Sequence, residues 1–413
     1  MVGRFGGTRI YQHGEQKMKK LLMATTAATM LSTSAFAAGH EINIGVLMGF
    51  TGPTESLTPG WAESAELALS EVNASGRLLD GKVLVPLRAD TTCVDASAAT
   101  ASADALVTSN NVAAIVGAVC SGSTIAVLNN VAVPNGVVMV SPASTSPALS
   151  TIEDNGLFFR TAPSDARQGE VLADVLISRG INSVAVTYVI NDYGKGLSDA
   201  FSAAFEAAGG TITINASHED GKGDYSSEVG VLAAAGGDVL VALGYIDGGA
   251  AGVMRAAVDT GAFETFFLAD AMFGDSILQT MGADLNGSFG VVPWAEGAGS
   301  DAFTIAAEAA GIDPDGSFRR ESYDAAALIA LAIQAGGSAD RASIAANMLA
   351  VANAPGEPIL AGELDKALEI LANGGEIDYV GGTNVELIGP GEAAGNYREY
   401  NVVDGAFVTV QFR

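Results

Sequence analysis

The chain has 413 residues, 47 of them acidic and 20 lysine or arginine, and a formal net charge of −27 at pH 7. A surface this acidic repels phosphate backbones and anionic headgroups, which argues against nucleic acid and membrane surfaces as partners. Hydrophobic residues make up 49% of the chain, enough for the cores of two domains of about 100–200 residues each.

The first recognisable segment, Met18–Ala38, is typical of a secretory signal peptide. Two lysines precede an apolar run that ends in the small-residue pattern Ala35-Phe36-Ala37, and this run is too short for a permanent membrane anchor. We expect translation to start at Met18 and residues 1–37 to be removed. No cysteine follows the cleavage region to accept a lipid, so we expect a periplasmic product without a direct membrane anchor.

Short β-branched runs then alternate with alanine-rich amphipathic stretches, which predicts a parallel sheet covered by helices. We expect one α/β sandwich to be complete by about residue 160. Its predicted strands are Ile42–Leu47, Val83–Arg88, Ala113–Gly117 and Val137–Val140, and its predicted helices are Trp61–Asn73, Ala101–Val107 and Thr124–Val131.

A second series of the same kind follows and predicts a second sandwich. Its predicted strands are Ser183–Val189, Thr211–Ser217, Asp238–Leu243 and Phe266–Leu268, and its predicted helices are Arg167–Ser178, Lys195–Ala208, Ser226–Ala235 and Ala250–Thr260.

The last third of the chain returns to both sandwiches. After Gly290–Trp294, three helical stretches without a clear strand between them are expected to cover the first sandwich, whereas Arg398–Phe412 is expected to add edge strands to the second. The helical stretches are Phe303–Ala310, Ser322–Ala335 and Ser343–Val351.

The predicted fold class is therefore α/β, with two doubly wound parallel-sheet lobes joined by a hinge around a ligand cleft. Lobe 1 is expected to contain residues 38–160 and 292–383, and lobe 2 residues 161–291 and 384–413.

The two cysteines, Cys93 and Cys120, are expected to form one disulfide, because an even count in an exported chain is typical of an oxidising compartment. Two buried thiols are the alternative. A zinc site is less favoured, since His40 and His218 are the only histidines after the signal segment and neither has ligand spacing to a cysteine. We therefore expect no metal.

The sequence offers no convincing catalytic arrangement. His218 lies in a polar turn, and the chain has no nucleophile elbow, no G-x-G-x-x-G after a strand and no G-x-x-x-x-G-K-[ST]. The segment 313–316 faintly resembles a calcium loop but lacks the closing glutamate, so an ordinary turn is favoured. We expect neither an enzyme nor a cofactor.

Two hydroxyl-rich loops follow successive strands of the first lobe, where open α/β sheets place their ligands. In one of them, Ser121 opens a helix whose N-terminus can attract a carboxylate. The other loop contains Ser144 and Thr145. Helix capping by these hydroxyls is the alternative for either loop alone, but two such loops together favour a ligand site.

With these motifs the chain resembles the periplasmic substrate-binding proteins of ABC importers, of the leucine/isoleucine/valine-binding type, over Glu41–Phe412. The resemblance implies the periplasmic binding protein type I fold. It rests on Thr51-Gly52-Pro53, the cysteine pair, Cys120-Ser121-Gly122-Ser123-Thr124, Ser141-Pro142-Ala143-Ser144-Thr145 and Asp192-Tyr193-Gly194.

For the first lobe, the resemblance implies that Ser121 and Thr145 hold a ligand α-carboxylate and that the carbonyl group of Ala143 receives the α-ammonium. Ser144, between them, is included in the expected site. Two departures from the family pattern indicate an altered side-chain pocket: Leu57 stands where the family has a tyrosine, and Trp61 follows closely.

For the second lobe, the resemblance implies that Tyr193 and Tyr245 contact the ligand and that Asp270 neutralises its ammonium. Asp270 replaces a longer glutamate of the branched-chain binders. A zwitterion entering a dry cleft needs donors for its carboxylate and an anion for its ammonium, because an unpaired buried charge costs several kcal/mol. The alternatives are a solvated loop carboxylate for Asp270 and core packing for the two tyrosines.

The resemblance implies a monomeric binding protein that captures a small amino acid, branched-chain or otherwise hydrophobic, and delivers it to an ABC-type membrane permease. Within the same fold the alternative ligands are a short amide, urea or an aromatic acid. A ligand-sensing role and an exported α/β enzyme are the alternatives from other classes, and the enzyme is disfavoured by the missing catalytic groups.

Overall fold

The computed structural model of the protein describes Gly3 and residues 40–413. The expected signal peptide and its cleavage site lie outside the described residues. Residues 42–413 form one compact unit that contains two α/β lobes. No helix in the described part of the chain is both long and apolar enough to cross a bilayer.

The strands form two large sheets and one small one. In chain order they are β1 (Glu41–Met48), β2 (Val83–Asp90), β3 (Ala114–Gly117), β4 (Val138–Ser141), β5 (Phe158–Pro163), β6 (Ser183–Val189), β7 (Thr211–His218), β8 (Val239–Leu243), β9 (Phe266–Leu268), β10 (Phe289–Pro293), β11 (Glu357–Leu360), β12 (Ile377–Gly381), β13 (Leu387–Ile388), β14 (Glu392–Ala393), β15 (Tyr397–Val403) and β16 (Ala406–Phe412).

Helices lie between most of these strands and cover the sheets. They are α1 (Thr58–Ser75), α2 (Ala96–Asp104), α3 (Ser121–Val127), α4 (Val133–Asn135), α5 (Asp165–Ser178), α6 (Asp192–Ala207), α7 (Ser226–Ala235), α8 (Gly249–Thr260), α9 (Asp275–Met281), α10 (Ala298–Ala309), α11 (Arg319–Ala335), α12 (Arg341–Ala352) and α13 (Leu364–Ala372).

The first lobe contains a seven-stranded sheet in the order β13-β14-β5-β4-β3-β1-β2. Its central strands β1, β3, β4 and β5 pair in parallel, so their carboxyl ends lie at one edge. Strands β3 and β4 are buried throughout, which explains their continuous apolar sequence, because helices cover both faces of the sheet. The loops after these strands therefore emerge side by side.

The second lobe contains the sheet β16-β15-β10-β9-β8-β6-β7. Strands β6 to β10 pair in parallel, and β15 and β16 add an antiparallel hairpin at the β10 edge, as the alternating tail sequence predicts. The carboxyl ends of β6, β8 and β9 form the edge of this lobe that faces the first lobe.

Three described segments cross between the lobes, after β5, β10 and β14, and together they form the hinge. The sheet order corrects the expected lobe boundary in one respect. Strands β13 and β14 belong to the first sheet, although residues 384–413 were expected in lobe 2. These strands have only two residues each, and β13 pairs with β14, which pairs with β5, so no local pattern in the sequence indicates their sheet.

Helix α11 is the central support of the first lobe. It packs against α1, α12 and α13 and contacts strands β3 to β5, in agreement with the expected return of this part of the chain. The small parallel sheet of β11 and β12, and helix α13 between them, have no counterpart among the predicted elements. Both strands are short and partly exposed, so their hydrophobic alternation is weak.

Candidate functional site

The predicted disulfide joins Cys93 to Cys120, with 5.6 Å between their Cα atoms. Cys120 immediately precedes α3, and Ser121 is the first residue of that helix. The disulfide therefore connects the loop after β2 to the start of the helix that carries Ser121. This confirms the predicted pairing and excludes the two-thiol alternative.

The second hydroxyl-rich loop is folded against α3. The Oγ atom of Ser121 accepts a hydrogen bond from the backbone N–H of Ser146, at 3.2 Å, so its own proton remains available to a ligand. Ser144 is differently placed. Its hydroxyl group bonds the Thr124 hydroxyl at 2.6 Å and donates to the carbonyl oxygen of Ala118 at 3.1 Å. Its side chain is thus engaged within the first lobe.

Arg160, which the sequence analysis did not include in the site, holds this loop in place. It is 1% exposed, and its guanidinium donates to the carbonyl oxygens of Ser144 at 3.1 Å and Ser146 at 3.0 Å. The same group pairs with Glu392 on β14. A charged residue inside the apolar strand β5 is a signal for such a clamp, but its partners cannot be read from the sequence.

Asp270 is the central charged group that the second lobe contributes. It follows β9, is 1% exposed, and accepts hydrogen bonds from the Tyr193 hydroxyl at 2.6 Å and from Nε2 of Gln168 at 3.0 Å. Burial raises the pKa of its carboxyl group, while these two hydrogen bonds oppose the rise. The rings of Tyr193 and Tyr245 stack with centroids 5.1 Å apart.

A second buried carboxyl group, on Asp165, lies close enough to interact electrostatically with Asp270. Asp165 begins α5, and its backbone N–H donates to the carbonyl oxygen of Thr145 at 2.8 Å. Burial, and then the charge of Asp270, raise the pKa of Asp165 well above its usual value. The Thr145 hydroxyl lies beside the Asp165 carboxyl group and opposes the rise in its pKa, and neither group has another hydrogen-bond partner within the described residues. Sequence reasoning missed Asp165 because it looks like a helix N-terminal residue.

These groups from the two lobes meet at a small enclosed cleft. Its volume is about 10 Å³, comparable to the space for one water molecule, so the lobes are closed on each other. Most of the predicted site residues line it, namely Trp61, Ser121, Ala143, Tyr193, Tyr245 and Asp270. Ser144, Thr145 and Leu57 do not. Thr54, Val119, Ala271 and Phe318 complete the lining and were not predicted.

The two residues that depart from the family pattern, Leu57 and Trp61, differ in their position relative to the cleft. The Trp61 ring lines the cleft and meets the ring of Phe318 edge to face, with centroids 5.4 Å apart. Leu57 lines a larger neighbouring cavity and lies against Gly274 of the second lobe. Trp61 therefore forms part of the wall of the cleft, whereas Leu57 does not.

Direct hydrogen bonds between the lobes maintain the closed arrangement. The backbone N–H of Ser56 donates to Oδ2 of Asp247 at 2.9 Å, and the N–H of Asp247 donates to the carbonyl oxygen of Pro53 at 3.1 Å. These contacts join the loop after β1 to the loop after β8. Both loops border the cleft, so these hydrogen bonds can form and break as the lobes move about the hinge.

Comparison with known proteins gives one family and several relatives. The family model described as periplasmic binding protein matches residues 41–364. The Leu/Ile/Val-binding protein homolog 3 of Brucella melitensis is 33% identical over a match that covers 55% of this chain and 61% of that relative. The Leu/Ile/Val-binding protein BraC3 of Rhizobium johnstonii is 29% identical, with 80% of this chain and 89% of the relative covered.

Among solved structures, the leucine-binding protein LivK of Thermotoga maritima superposes with a TM-score of 0.75. The match covers 90% of this chain and 98% of that one at 23% identity, so it supports the two-lobed fold.

Proposed function

Because the chain belongs to the periplasmic binding protein family, we propose that it is a solute-binding protein that captures a small amino acid and delivers it to an ABC-type permease. The ligand would be branched-chain or otherwise hydrophobic, and the protein would bind it without catalysing a reaction on it. The Leu/Ile/Val-binding names of the two relatives support this choice of ligand class.

The observation that carries the proposal is the buried carboxylate of Asp270, which faces hydroxyl groups of the opposite lobe across the closed cleft. An ionised carboxylate in such a place is stabilised by a cation, and an amino acid supplies one in its ammonium group. Ser121 supplies a donor for the ligand carboxylate, and the start of α3 adds a favourable partial charge. Both ends of a zwitterion thus have a partner of opposite character.

The other predicted residues take roles that follow from their positions. The resemblance assigns the Thr145 hydroxyl to the ligand carboxylate, although in the closed form it lies beside Asp165 and does not line the cleft, and it assigns the carbonyl group of Ala143 to the ammonium. Tyr193 orients Asp270 through its hydrogen bond, while the stacked ring of Tyr245 forms an apolar wall. Ser144 supports the loop from beneath rather than touching the ligand.

The binding cycle follows from the division of these groups between the lobes. The first lobe holds the ligand while the lobes are apart, and rotation about the hinge then brings Tyr193, Tyr245 and Asp270 against it. The closed form, as a monomer, would be the one that docks on the permease. Export to the periplasm through a cleaved signal peptide is part of the proposal and rests on the segment Met18–Ala38.

The test is a thermal-shift screen of the mature protein, unfolded and refolded to remove any ligand carried from the cell. A ligand at 100 times its dissociation constant adds about 2.7 kcal/mol of stability. We expect leucine, isoleucine or valine to raise the melting temperature. A shift with urea or short amides, and none with any amino acid, would overturn the assignment of the ligand.

A further inference from the structure

A second cavity, of about 570 Å³, lies between the lobes beside the amino-acid cleft. This is within the usual range of small-molecule sites. Trp61 lines both cavities, so its ring separates them. Leu57 extends the wall from the first lobe, and Phe273 and Phe407 form an apolar wall on the second. The cavity therefore has the size and the surface of a binding site, and the proposed amino-acid site does not use it.

Arg398, at the start of β15, lines this cavity and is 9% exposed. Its guanidinium donates to the carbonyl oxygen of Phe407 at 3.2 Å, and its buried Nε has no hydrogen-bond partner within the described residues. It lies over the rings of Phe273, at 5.3 Å from the centroid, and Trp294, at 4.8 Å. These ring contacts fix the guanidinium at the apolar wall.

No carboxylate in the described part of the chain lies within 4.0 Å of the Arg398 guanidinium. A buried cation with an unused donor is costly unless an anion pairs with it. Arg319, the other cation of the cavity, already lies 3.6 Å from the carboxylate of Asp313. The exposed carboxylate of Asp315 acts on the Arg398 charge only from a longer distance, so the position of a directly paired anion remains for a ligand.

The acidic residues of the cavity do not occupy the same depth. Asp275, Asp313 and Asp315 are exposed, so water and salt screen their charges. The Arg398 guanidinium lies in a less polar environment, where a charged partner interacts more strongly. An anion at the inner wall is therefore favoured, despite the acidic rim.

We propose that this cavity binds a small organic carboxylate with an apolar or aromatic body. The carboxylate pairs with the guanidinium of Arg398, since a guanidinium presents parallel donors to such a group. The body lies against Trp61, Leu57 and Phe407. Because both lobes form the walls, an occupant favours the closed arrangement, and the shared ring of Trp61 couples the two sites.

The test is calorimetric titration of the refolded full mature chain with benzoate, cyclohexanecarboxylate and hexanoate, and with benzamide as the uncharged analogue of benzoate. We expect at least one carboxylate to bind and benzamide to fail. Arg398→Met should weaken the binding at least tenfold. Arg398→Lys retains the charge but loses the paired donors, so its affinity for the carboxylate should lie between those of wild type and Arg398→Met. No binding by any of the three carboxylates would overturn the proposal.

A second variant leaves Arg398 in place, so it tests the cavity even if the Arg398 variants fail to fold. Phe407 forms part of the apolar wall, so Phe407→Ala should weaken carboxylate binding severalfold. Val408 follows it on the same strand, points to the opposite face and is 47% exposed, so Val408→Ala is the matched control and should bind normally. Equal binding by wild type, Phe407→Ala and Arg398→Met would overturn the proposal.

Asp270→Asn distinguishes the two sites. It lies in the amino-acid cleft and not on the second cavity, so it should leave carboxylate binding unchanged. Tighter carboxylate binding in this variant, as expected when a negative charge beside an anion is removed, together with displacement of the carboxylate by leucine, would show that both ligands use the first cleft. Failure of every amino acid to bind, with carboxylate binding that depends on Arg398, would overturn the proposed function and leave this inference standing.

Discussion

Replacing Asp270 by asparagine should separate ligand affinity from fold stability. The asparagine side chain has nearly the same shape, and its carbonyl oxygen can still accept from the Tyr193 hydroxyl and from Gln168, both of which donate to the same Oδ1 atom. Only the negative charge is removed. Any loss of affinity therefore reports the interaction of that charge with the ligand ammonium.

The expected size of the effect follows from the burial of the site. Asp270 is 1% exposed, and removing one partner of a buried charge pair costs about 3–5 kcal/mol. At about 1.4 kcal/mol per factor of ten, Asp270→Asn should weaken amino-acid binding by roughly 100- to 3,000-fold. Without ligand, the variant should melt at or above the wild-type temperature near pH 8, because burial disfavours the ionised carboxyl group there.

The assay is calorimetric titration of refolded protein with the best ligand of the thermal-shift screen, at several pH values. Since the ammonium requires an ionised Asp270 and its pKa is raised, wild-type affinity should fall as the pH drops through that raised pKa. The variant should lose this dependence. Asp259→Asn, at an exposed position on α8, is the matched control. Affinity within threefold of wild type in Asp270→Asn would refute the ammonium assignment.

Three further predictions concern stability. Burial raises the pKa of Glu321 to about 8, so the stability that its protonated form contributes is lost as the pH rises from about 4.5 through 8. In urea unfolding at pH 9, the free energy of unfolding of Glu321→Gln should therefore exceed that of wild type by up to about 5 kcal/mol. Equal stability of the two proteins would contradict this. Burial lowers the pKa of His218 to about 4, so the free energy of unfolding should fall by about 3 kcal/mol between pH 6.5 and 4. A plot of stability against pH should be flatter for His218→Gln than for wild type. Parallel plots would count against this prediction. Replacing Cys93 and Cys120 by serine should lower the free energy of urea unfolding by about 3.5 kcal/mol, because the unfolded chain gains the conformational entropy of the loop that the disulfide closes. The double variant should also bind the ligand more weakly, because the start of α3 loses its covalent attachment to the loop after β2. Unchanged affinity would mean that the disulfide does not position Ser121.

Much of the candidate site follows from the sequence through the geometry of parallel sheets. Ser121 and Ala143 follow successive strands of one sheet, so their loops had to emerge at the same edge. Tyr193 and Asp270 follow strands of the other sheet in the same way, and the hinge brings the two edges together. A local pattern of strand, loop and helix thus predicts which residues meet, because the fold fixes where each loop emerges.

The remaining features depend on residues far apart in the chain. Arg160 reaches Glu392, 232 positions away, and Phe318, in the returning part of the first lobe, packs against Trp61. Strands β13 and β14 join the first sheet, although the strands before and after them in the chain, β12 and β15, pair elsewhere. The unused Nε donor of Arg398 can be recognised only once the neighbours of this side chain are placed. The sequence alone determined the alternating elements, the two lobes and the loops that form the cleft, since these depend on local periodicity. Only the tertiary structure decided which buried charges are paired, because burial and pairing depend on the packing of distant segments.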